Sequence, residues 1–229
     1  MSRSEIACGG PFLNGQVSGR PLPARRYAPH SLREILGSSA WSRLPEAVRA
    51  RFADRSLAVD YAGEFDMVRA NLVGRIIAWA AQIIGTPVVP RTGSDVPAIV
   101  HVVPSDGGVE WRREYRWPGR PPYLVRSTKA IREDGVLVEK LPAHLCMSLQ
   151  VYEQAAVLHF VSRSYYFEIP LPGARRCMRL VLPLWLSPGT TRVEHIDDAD
   201  GWFRFTMTVT HPLFGEVFHQ TGRFHALGD

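Results

Sequence analysis

Lysine is almost absent from this chain of 229 residues, because Lys129 and Lys140 are the only two among its 27 basic residues. Arginine therefore supplies most of the formal net charge of +5. The arginines are scattered and form no long basic block, so the charge pattern predicts no nucleic-acid partner. Arginine is common in chains from GC-rich genomes, and it also suits bidentate pairing with carboxylates and stacking on aromatic rings.

Cysteine is scarce as well, and Cys8, Cys146 and Cys177 lie far apart. No Cys-x-x-Cys pair occurs, which excludes a zinc ribbon and a thioredoxin-like site. A low, odd cysteine count fits a reducing compartment, and the amino terminus lacks the layout of a secretory signal. The longest helical apolar stretch, 76–84, is about half a membrane span. These features predict a soluble, cytoplasmic protein that does not contact a membrane.

Several signatures of chemistry are also missing. No Gly-x-Gly-x-x-Gly follows a strand, which excludes a dinucleotide-binding fold within the chain, and no Gly-x-Ser-x-Gly nucleophile elbow occurs. No two histidines stand at the i, i+2 spacing of a strand or the i, i+4 spacing of a helix, so no local metal site is predicted. We predict no cofactor, and a metal site assembled from several strands stays open. The histidines considered are His144, His159, His195, His211 and His219.

The chain does contain enough apolar residues for a sizeable core, since 45% are hydrophobic and 21% are charged. Residues 1–29 are rich in Gly, Pro and Arg and predict a flexible arm, followed by one domain over 30–229. Ser31 with Glu34 forms a capping box that predicts a short helix ending at Gly37. A second short helix is predicted over 45–52.

The remaining pattern predicts an α+β fold. Residues 71–85 form a helix that is apolar over most of its circumference, which is typical of a buried helix. From residue 97 onward, apolar and polar residues alternate in about nine strands at roughly ten-residue spacing. We therefore expect a strongly curved antiparallel β-sheet or barrel that wraps helix 71–85, with the short N-terminal helices beside it.

A series of short segments carries a family resemblance. The segments are Leu44-Pro45 with Val48-Arg49, Gly85 with Pro87, Glu110-Trp111 with Arg113 and Tyr115, Glu139 with Leu141-Pro142, Leu171-Pro172, Asp200-Gly201 with Phe203 and Phe205, Pro212-Leu213 with Gly215 and Val217, and His219-Gln220 with Gly222. In this order they resemble the bacterial domain of unknown function family 4166, over about residues 40–225. The resemblance implies no activity. It does imply a fused or separate partner with a Rossmann-type domain similar to saccharopine dehydrogenase or short-chain dehydrogenases. Family members commonly carry a histidine near the place of Phe52.

The first candidate site lies on the predicted strand 110–117. Strand alternation places Glu110, Arg112, Glu114 and Arg116 on one face, and Trp111, Arg113, Tyr115 and Trp117 on the other. The second face surrounds one guanidinium with aromatic rings. Arg113 is then either a structural cation–π anchor or the anchor for an anionic ligand in an apolar cavity, with Trp111 and Tyr115 beside it.

The second candidate site pairs Glu139 with His219. Alternation places Val217, His219 and Thr221 on one face of the last strand, and Glu139 could meet a histidine or an arginine across the sheet. A histidine–carboxylate pair in a cavity with little water is a suitable general base, so Glu139 and His219 are the predicted catalytic residues. The alternative is a structural ion pair.

Two functions follow from these predictions. The first is a small-molecule-binding domain for a hydrophobic metabolite that can carry an anionic group, extending to a cofactor-free enzyme that works with a reductase-type partner. The second is a non-catalytic domain that docks a dehydrogenase-like partner through its exposed sheet. The position of helix 71–85 distinguishes them, because a helix that fills the concavity of the sheet leaves no room for a ligand.

Overall fold

The computed structural model describes residues 31–53, 58–81, 89–105, 108–171 and 177–228. Eleven strands join into one antiparallel sheet. Their bounds are β1 Val59–Ala70, β2 Gly93–Ser105, β3 Gly108–Tyr115, β4 Tyr123–Ile131, β5 Leu137–Lys140, β6 Leu145–Gln154, β7 Val157–Pro170, β8 Cys177–Leu182, β9 Thr190–Asp197, β10 Trp202–His211 and β11 Gly215–Ala226.

The sheet closes into a barrel. The strand order is β6-β5-β4-β3-β2-β1-β11-β10-β9-β7-β8, and an additional pairing of β6 with β7 closes ten strands into a ring. The eleventh strand, β8, pairs with β7 and ends just before Pro183, which cannot donate to a sheet ladder. The predicted antiparallel barrel is confirmed, with eleven strands where about nine were expected.

Large side chains fill the barrel. A ring of ten strands encloses a wider space than one of eight, and side chains from its own wall must fill that space. The largest fully buried side chains are aromatic, namely Phe65, Tyr115, Phe160, Phe218 and Phe224. Aromatic side chains bury a large apolar area each, so these five contribute strongly to the core.

Three short helices, α1 (Leu32–Leu36), α2 (Ser38–Arg43) and α3 (Glu46–Phe52), cover one end of the barrel. The Ser31 hydroxyl accepts a hydrogen bond from the Glu34 amide at 3.2 Å, and Gly37 ends α1 with a φ of 78°, as predicted. Helix α2 was not predicted, because Gly37 was interpreted only as a stop and it also precedes a new helix. Helix α3 agrees with its prediction.

Helix α4 (Leu72–Ala81) lies elsewhere than predicted. It joins the end of β1 to the start of β2, so it sits at the barrel end opposite α3. A side chain on Gly74 would lie 1.8 Å from the Val217 carbonyl oxygen, so only glycine lets the helix approach β11 so closely. Its apolar stripe is exposed, with Leu72, Ile76 and Trp79 at 72%, 58% and 68%. The sheet does not wrap this stripe, because the strands fill the interior with their own side chains.

Two predictions fall wholly or partly outside the described residues. The flexible arm over 1–29 is one, and the end of the predicted helix between residues 82 and 85 is the other. Among the helices of the described ranges, none is both long enough and apolar enough to cross a membrane.

Candidate functional site in the barrel interior

Strand β3 points its alternate residues into the barrel, as predicted. Trp111, Arg113 and Tyr115 are 5%, 7% and 0% exposed. On the outer face Arg112 bonds Glu110 at 2.9 Å, and Arg116 bonds Glu114 at 2.8 Å. The two faces of this strand therefore carry the predicted division between surface charge and interior aromatic rings.

Tyr115 belongs to a packed part of the interior. Its hydroxyl donates to Gln220 Oε1 at 3.0 Å, and its ring stacks on Phe65 with centroids 4.8 Å apart. Burial raises the pKa of Tyr115 to about 12, although the Arg113 charge and the Gln220 hydrogen bond oppose that shift. The phenol is therefore a neutral, satisfied group in the core.

Arg113 is linked to a buried ion pair through Ser127. The register places Trp111 opposite Ser127 and Lys129 opposite Glu139, which aligns three strands around one cluster. Arg113 Nη1 donates to Ser127 Oγ at 3.3 Å, and Lys129 Nζ lies 3.1 Å from Glu139 Oε2. Ser127 also donates to the Glu139 carboxylate. Two cations thus share one carboxylate, which leaves one formal positive charge within the cluster of Arg113, Lys129 and Glu139.

The pKa shifts in this cluster follow from burial and from the charges. Burial by itself raises the pKa of Glu139, but the charges of Lys129 and Arg113 outweigh it and the net shift is downward. Burial lowers the pKa of Lys129, Arg113 lowers it further, and Glu139 opposes both. The carboxylate is therefore ionised near neutral pH, and the amine gives up its proton more readily than an exposed lysine does.

His195 on β9 joins the same interior. Its imidazole is 2% exposed and lies 4.7 Å from the ring of Phe52 and 5.4 Å from the ring of Phe205. Burial lowers the pKa of His195 well below its usual value, and the charges of Arg51, Lys129 and Arg113 add to this shift. The ring is therefore neutral at neutral pH.

His195 was not among the predicted site residues. The signal that could have identified it is the alternation of Thr191, Val193 and His195, which share the buried face of β9. That pattern places one imidazole among interior side chains, but it does not show that cations from β3 and β4 lie nearby.

A small cavity lies between these groups. Its volume is about 10 Å³, and its lining consists of Phe65, Val100, Trp111, Arg113, His195, Phe203, Phe205 and Phe224. Trp111 Nε1 and His195 Nδ1 are buried and have no hydrogen-bond partner among the described residues. A space of this size holds about one water molecule, and two of its lining residues carry a buried polar atom without a partner that a ligand could bond.

Helix α3 closes the barrel over this cavity. The Phe52 ring lies 5.9 Å from Trp111 and 5.5 Å from Phe160, and the Arg51 guanidinium stands 3.4 Å above the Phe203 ring. Phe52 also lines an outer pocket of about 400 Å³ between α1, α2 and α3. One aromatic side chain therefore contacts both the outer pocket and the rings around the inner cavity.

The predicted pairing of Glu139 with His219 does not form. Glu139 faces the interior on β5, whereas His219 faces outward on β11 and bonds Thr208 Oγ1 through Nδ1 at 3.0 Å. Strands β5 and β11 lie five steps apart in either direction round the ring. Val217 is buried although His219 is not, because a bulge beside Thr210 makes Val217 an extra residue in its strand.

Within the described part of the chain, no three or more His, Cys, Asp or Glu side chains gather where they could hold a metal ion.

The comparisons with known proteins agree with the family resemblance. Residues 44–224 match the family described as Domain of unknown function (DUF4166). The chain belongs to the DUF4166 family. The DUF4166 match begins at Leu44, just before α3, and reaches Phe224 in β11, so it includes the barrel together with Phe52. No curated protein and no solved structure matched the chain.

Proposed function

We propose that this DUF4166 barrel binds a small hydrophobic molecule with a carboxylate or carbonyl oxygen, in its interior beneath α3. One observation carries the proposal. Two buried cations, Arg113 and Lys129, share one carboxylate next to a cavity whose lining residues Trp111 and His195 have Nε1 and Nδ1, respectively, without partners among the described residues. A buried charge without a matching counter-charge is costly, and a bound anion would offset that cost.

The cavity walls determine which molecule suits the site. Arg113 and the Trp111 indole contribute donors to the lining of the cavity, while Phe65, Phe203 and Phe205 contribute aromatic rings. An apolar body with one oxygen-bearing end matches this division. Because the cavity is about 10 Å³, binding requires the Phe52 ring to move out of the mouth, and the outer pocket provides an approach.

Acid–base chemistry on the bound molecule is part of the same proposal. Glu139 is ionised and buried beside Lys129, so it is the group on the interior wall that we expect to take and return a proton. His219 has no part in this proposal, because it faces outward. Any proton transfer would use Glu139 without a cofactor, and a reductase-type partner would supply hydride chemistry.

Thermal unfolding with a series of carboxylates tests binding. Acetate, butyrate, hexanoate and phenylacetate share one anionic group and differ in apolar length. We expect a rise in Tm that grows with the apolar part and is lost in Arg113→Met, which keeps the length of the side chain but removes the charge. Arg112→Met, one residue away on the outer face, is the matched control and should keep the response.

Native mass spectrometry of the protein as purified gives an independent result. A stoichiometric organic acid or ketone that stays with the wild type and is lost from Arg113→Met would support the proposal. The proposal fails if no carboxylate raises Tm, or if both arginine variants respond as the wild type does.

A second candidate function rests on an exposed apolar region at the other end of the barrel. We call it the α4 surface and define it by Leu72, Ile76, Trp79, Trp185, Leu213 and Phe214, all of which are exposed. The region is continuous. Asn71 Nδ2 donates to the Phe214 carbonyl at 3.4 Å, and His211 stacks on Phe214 at 4.8 Å while its Nε2 donates to the Trp185 carbonyl at 3.1 Å. An exposed apolar patch of this kind is typical of a docking surface.

The partner for the α4 surface would be a Rossmann-type reductase, as the family resemblance implies. Affinity purification from cells of the source organism, using wild type, Ile76→Ser with Trp79→Ser, and Leu227→Ser, tests this. Leu227 is 45% exposed at the end of β11 near α3, so it serves as the control. An identified reductase that is lost only from the α4 variant supports docking. Equal recovery with all three proteins contradicts it.

A further inference from the structure

One of the two lysines of the chain lies inside the barrel. The side chain of Lys129 is 12% exposed, and its Nζ lies 5.2 Å from the centre of the Trp111 ring and 5.7 Å from that of Phe160. Lys140, the other lysine, is exposed at the end of β5. A lysine that serves only solvation belongs on the surface, so the interior position of Lys129 calls for a chemical explanation.

The surroundings of Lys129 combine three properties that activate an amine. Aromatic rings keep water away, the Arg113 charge in the same cluster opposes protonation, and Glu139 at 3.1 Å can take a proton. A lysine that is desolvated or placed near another cation is a more available nucleophile toward carbonyl groups. Phe52 of α3 packs near the same two rings, Trp111 and Phe160, so the amine and the closing helix share these two neighbours.

We propose that Lys129 forms an imine with the carbonyl carbon of an aldehyde or ketone bound in the barrel. This rests on the proposed function, and it narrows the ligand class to small oxo acids, with the carboxylate near Arg113 and the carbonyl at Lys129 Nζ.

The step balances without a cofactor. The Nζ lone pair forms a bond to the carbonyl carbon, and the carbon–oxygen π electrons move to oxygen. The ammonium form of Lys129 supplies two protons through Glu139 to that oxygen, which leaves as water. The third proton stays on nitrogen, so the iminium keeps the positive charge that faced Glu139 before the reaction. Charge in the cluster is therefore unchanged, and the step needs no oxidant or reductant.

Reductive trapping with glyoxylate tests the proposal on the full chain. Glyoxylate is the smallest oxo acid, and cyanoborohydride reduces an imine faster than a free aldehyde, so a trapped lysine gains a carboxymethyl group. Peptide mapping by mass spectrometry then compares Lys129, Lys140 and the amino terminus. We expect Lys129 to be labelled fastest near neutral pH, and its labelling to persist at a lower pH than that of Lys140.

Two lysine variants complete the test. Lys129→Arg keeps the charge beside Glu139 and should lose the fast label, whereas Lys140→Arg should keep it. Faster labelling of Lys140 than of Lys129 in both the folded wild type and Phe52→Ala would overturn the proposal. Because Phe52 could restrict entry, Phe52→Ala is labelled in parallel. If Lys129 also stays unlabelled in that variant, the imine is rejected.

Acetate and glyoxylate are compared by thermal shift to separate the two proposals. If acetate and glyoxylate both raise Tm in the wild type but not in Arg113→Met, and Lys129 stays unlabelled, the proposal of anion binding is supported and the imine is rejected. If neither raises Tm and Lys129 is unlabelled, both proposals fail. If glyoxylate labels Lys129 selectively and Arg113→Met slows this labelling, both proposals are supported.

Discussion

Adjacent arginines on β3 show how differently the two faces of the barrel wall treat charge. Arg112 faces outward, where Glu110 meets it through two hydrogen bonds of 2.9 Å and 3.1 Å. Arg113 faces inward, where it donates to the Ser127 hydroxyl in a cluster with two cations and one carboxylate. Charge on the outer face of β3 is matched pair by pair in water, whereas the interior cluster keeps one excess positive charge away from water. We therefore assign the proposed function to the interior cluster.

The interior itself divides into two parts. Around Tyr115 and Gln220 the polar groups bond one another, because the Tyr115 hydroxyl donates to Gln220 Oε1 at 3.0 Å. Around the cavity, Trp111 Nε1 and His195 Nδ1 lack partners among the described residues. A satisfied polar network rigidifies a core, whereas unsatisfied groups mark a place where a ligand can bind. Substitutions in the two parts should therefore have different effects.

Glu139→Gln should have the largest effect on stability. It removes the carboxylate and leaves Lys129 and Arg113 buried together. Breaking a buried ion pair by removing one partner typically costs about 3–5 kcal/mol of the free energy of unfolding. Urea denaturation measures the loss. Adding Lys129→Met to this variant should recover a large part of it, because the second unpaired charge is then removed as well.

The outer face provides the control for Glu139→Gln. Glu114 pairs with Arg116 at 2.8 Å on the same wall but at the surface. Glu114→Gln should cost far less than Glu139→Gln, because water solvates the remaining arginine. Equal losses of the free energy of unfolding in the two variants would show that removing a carboxylate costs as much on the outer face as on the inner face, which would contradict the comparison.

Tyr115→Phe should have an intermediate effect that is confined to the packed part. The change leaves the Gln220 amide oxygen, which the Tyr115 hydroxyl bonds at 3.0 Å, without that donor. A buried acceptor that loses its partner costs about 1–3 kcal/mol. Thermal unfolding with and without hexanoate should show a lower Tm but an unchanged ligand response. A lost ligand response would place Tyr115 in the site.

Because of His195, the stability of the protein should fall as the pH drops below the ordinary pKa of a histidine. The folded-state pKa of His195 lies well below the usual value because of burial and the nearby Arg51, Lys129 and Arg113. Below about pH 6.5 the unfolded chain binds a proton that the folded chain excludes, so stability is lost at about 1.4 kcal/mol per pH unit. The loss continues down to the folded-state pKa.

The comparison of wild type with His195→Gln isolates this contribution from the other histidines. Urea denaturation of both proteins at a series of pH values between about 7.5 and 5.5 gives the two slopes. We expect the wild type to lose stability more steeply on the acid side, and the variant to lose this extra slope. Parallel curves would show that the His195 imidazole protonates freely in the folded protein.

Local signals made the barrel and the inward face of β3 predictable, because alternation fixes which side chains point inside. The capping pattern at Ser31 likewise fixed the first helix. The meeting of Lys129 with Glu139 and Arg113 depends on register across β3, β4 and β5, which no local pattern carries. For the same reason, the motif around His219 made it a predicted catalytic residue, although it lies on the outer wall of the barrel.

The position of α4 could not be predicted from its composition. An apolar helix is usually buried, and the pattern of residues 71–85 shows the degree of apolarity but not the direction of packing. The structure shows that Gly74 approaches the Val217 carbonyl and Val73 packs against the core, while Leu72, Ile76 and Trp79 remain exposed. The prediction that this helix is buried within the sheet was therefore wrong.

Arg112→Ala should produce the smallest effect, and it sharpens the comparison of the two arginines. The Arg112 guanidinium and the Glu110 carboxylate interact at the surface, where water and salt screen their attraction. We expect the free energy of unfolding to stay within the error of urea denaturation, at both low and high salt. The ligand response of Arg112→Ala should also equal that of the wild type, because Arg112 lies on the side of β3 away from the cavity. A clear loss of either property would show that the outer charges are coupled to the interior cluster, and the function could then no longer be assigned to the inner face alone.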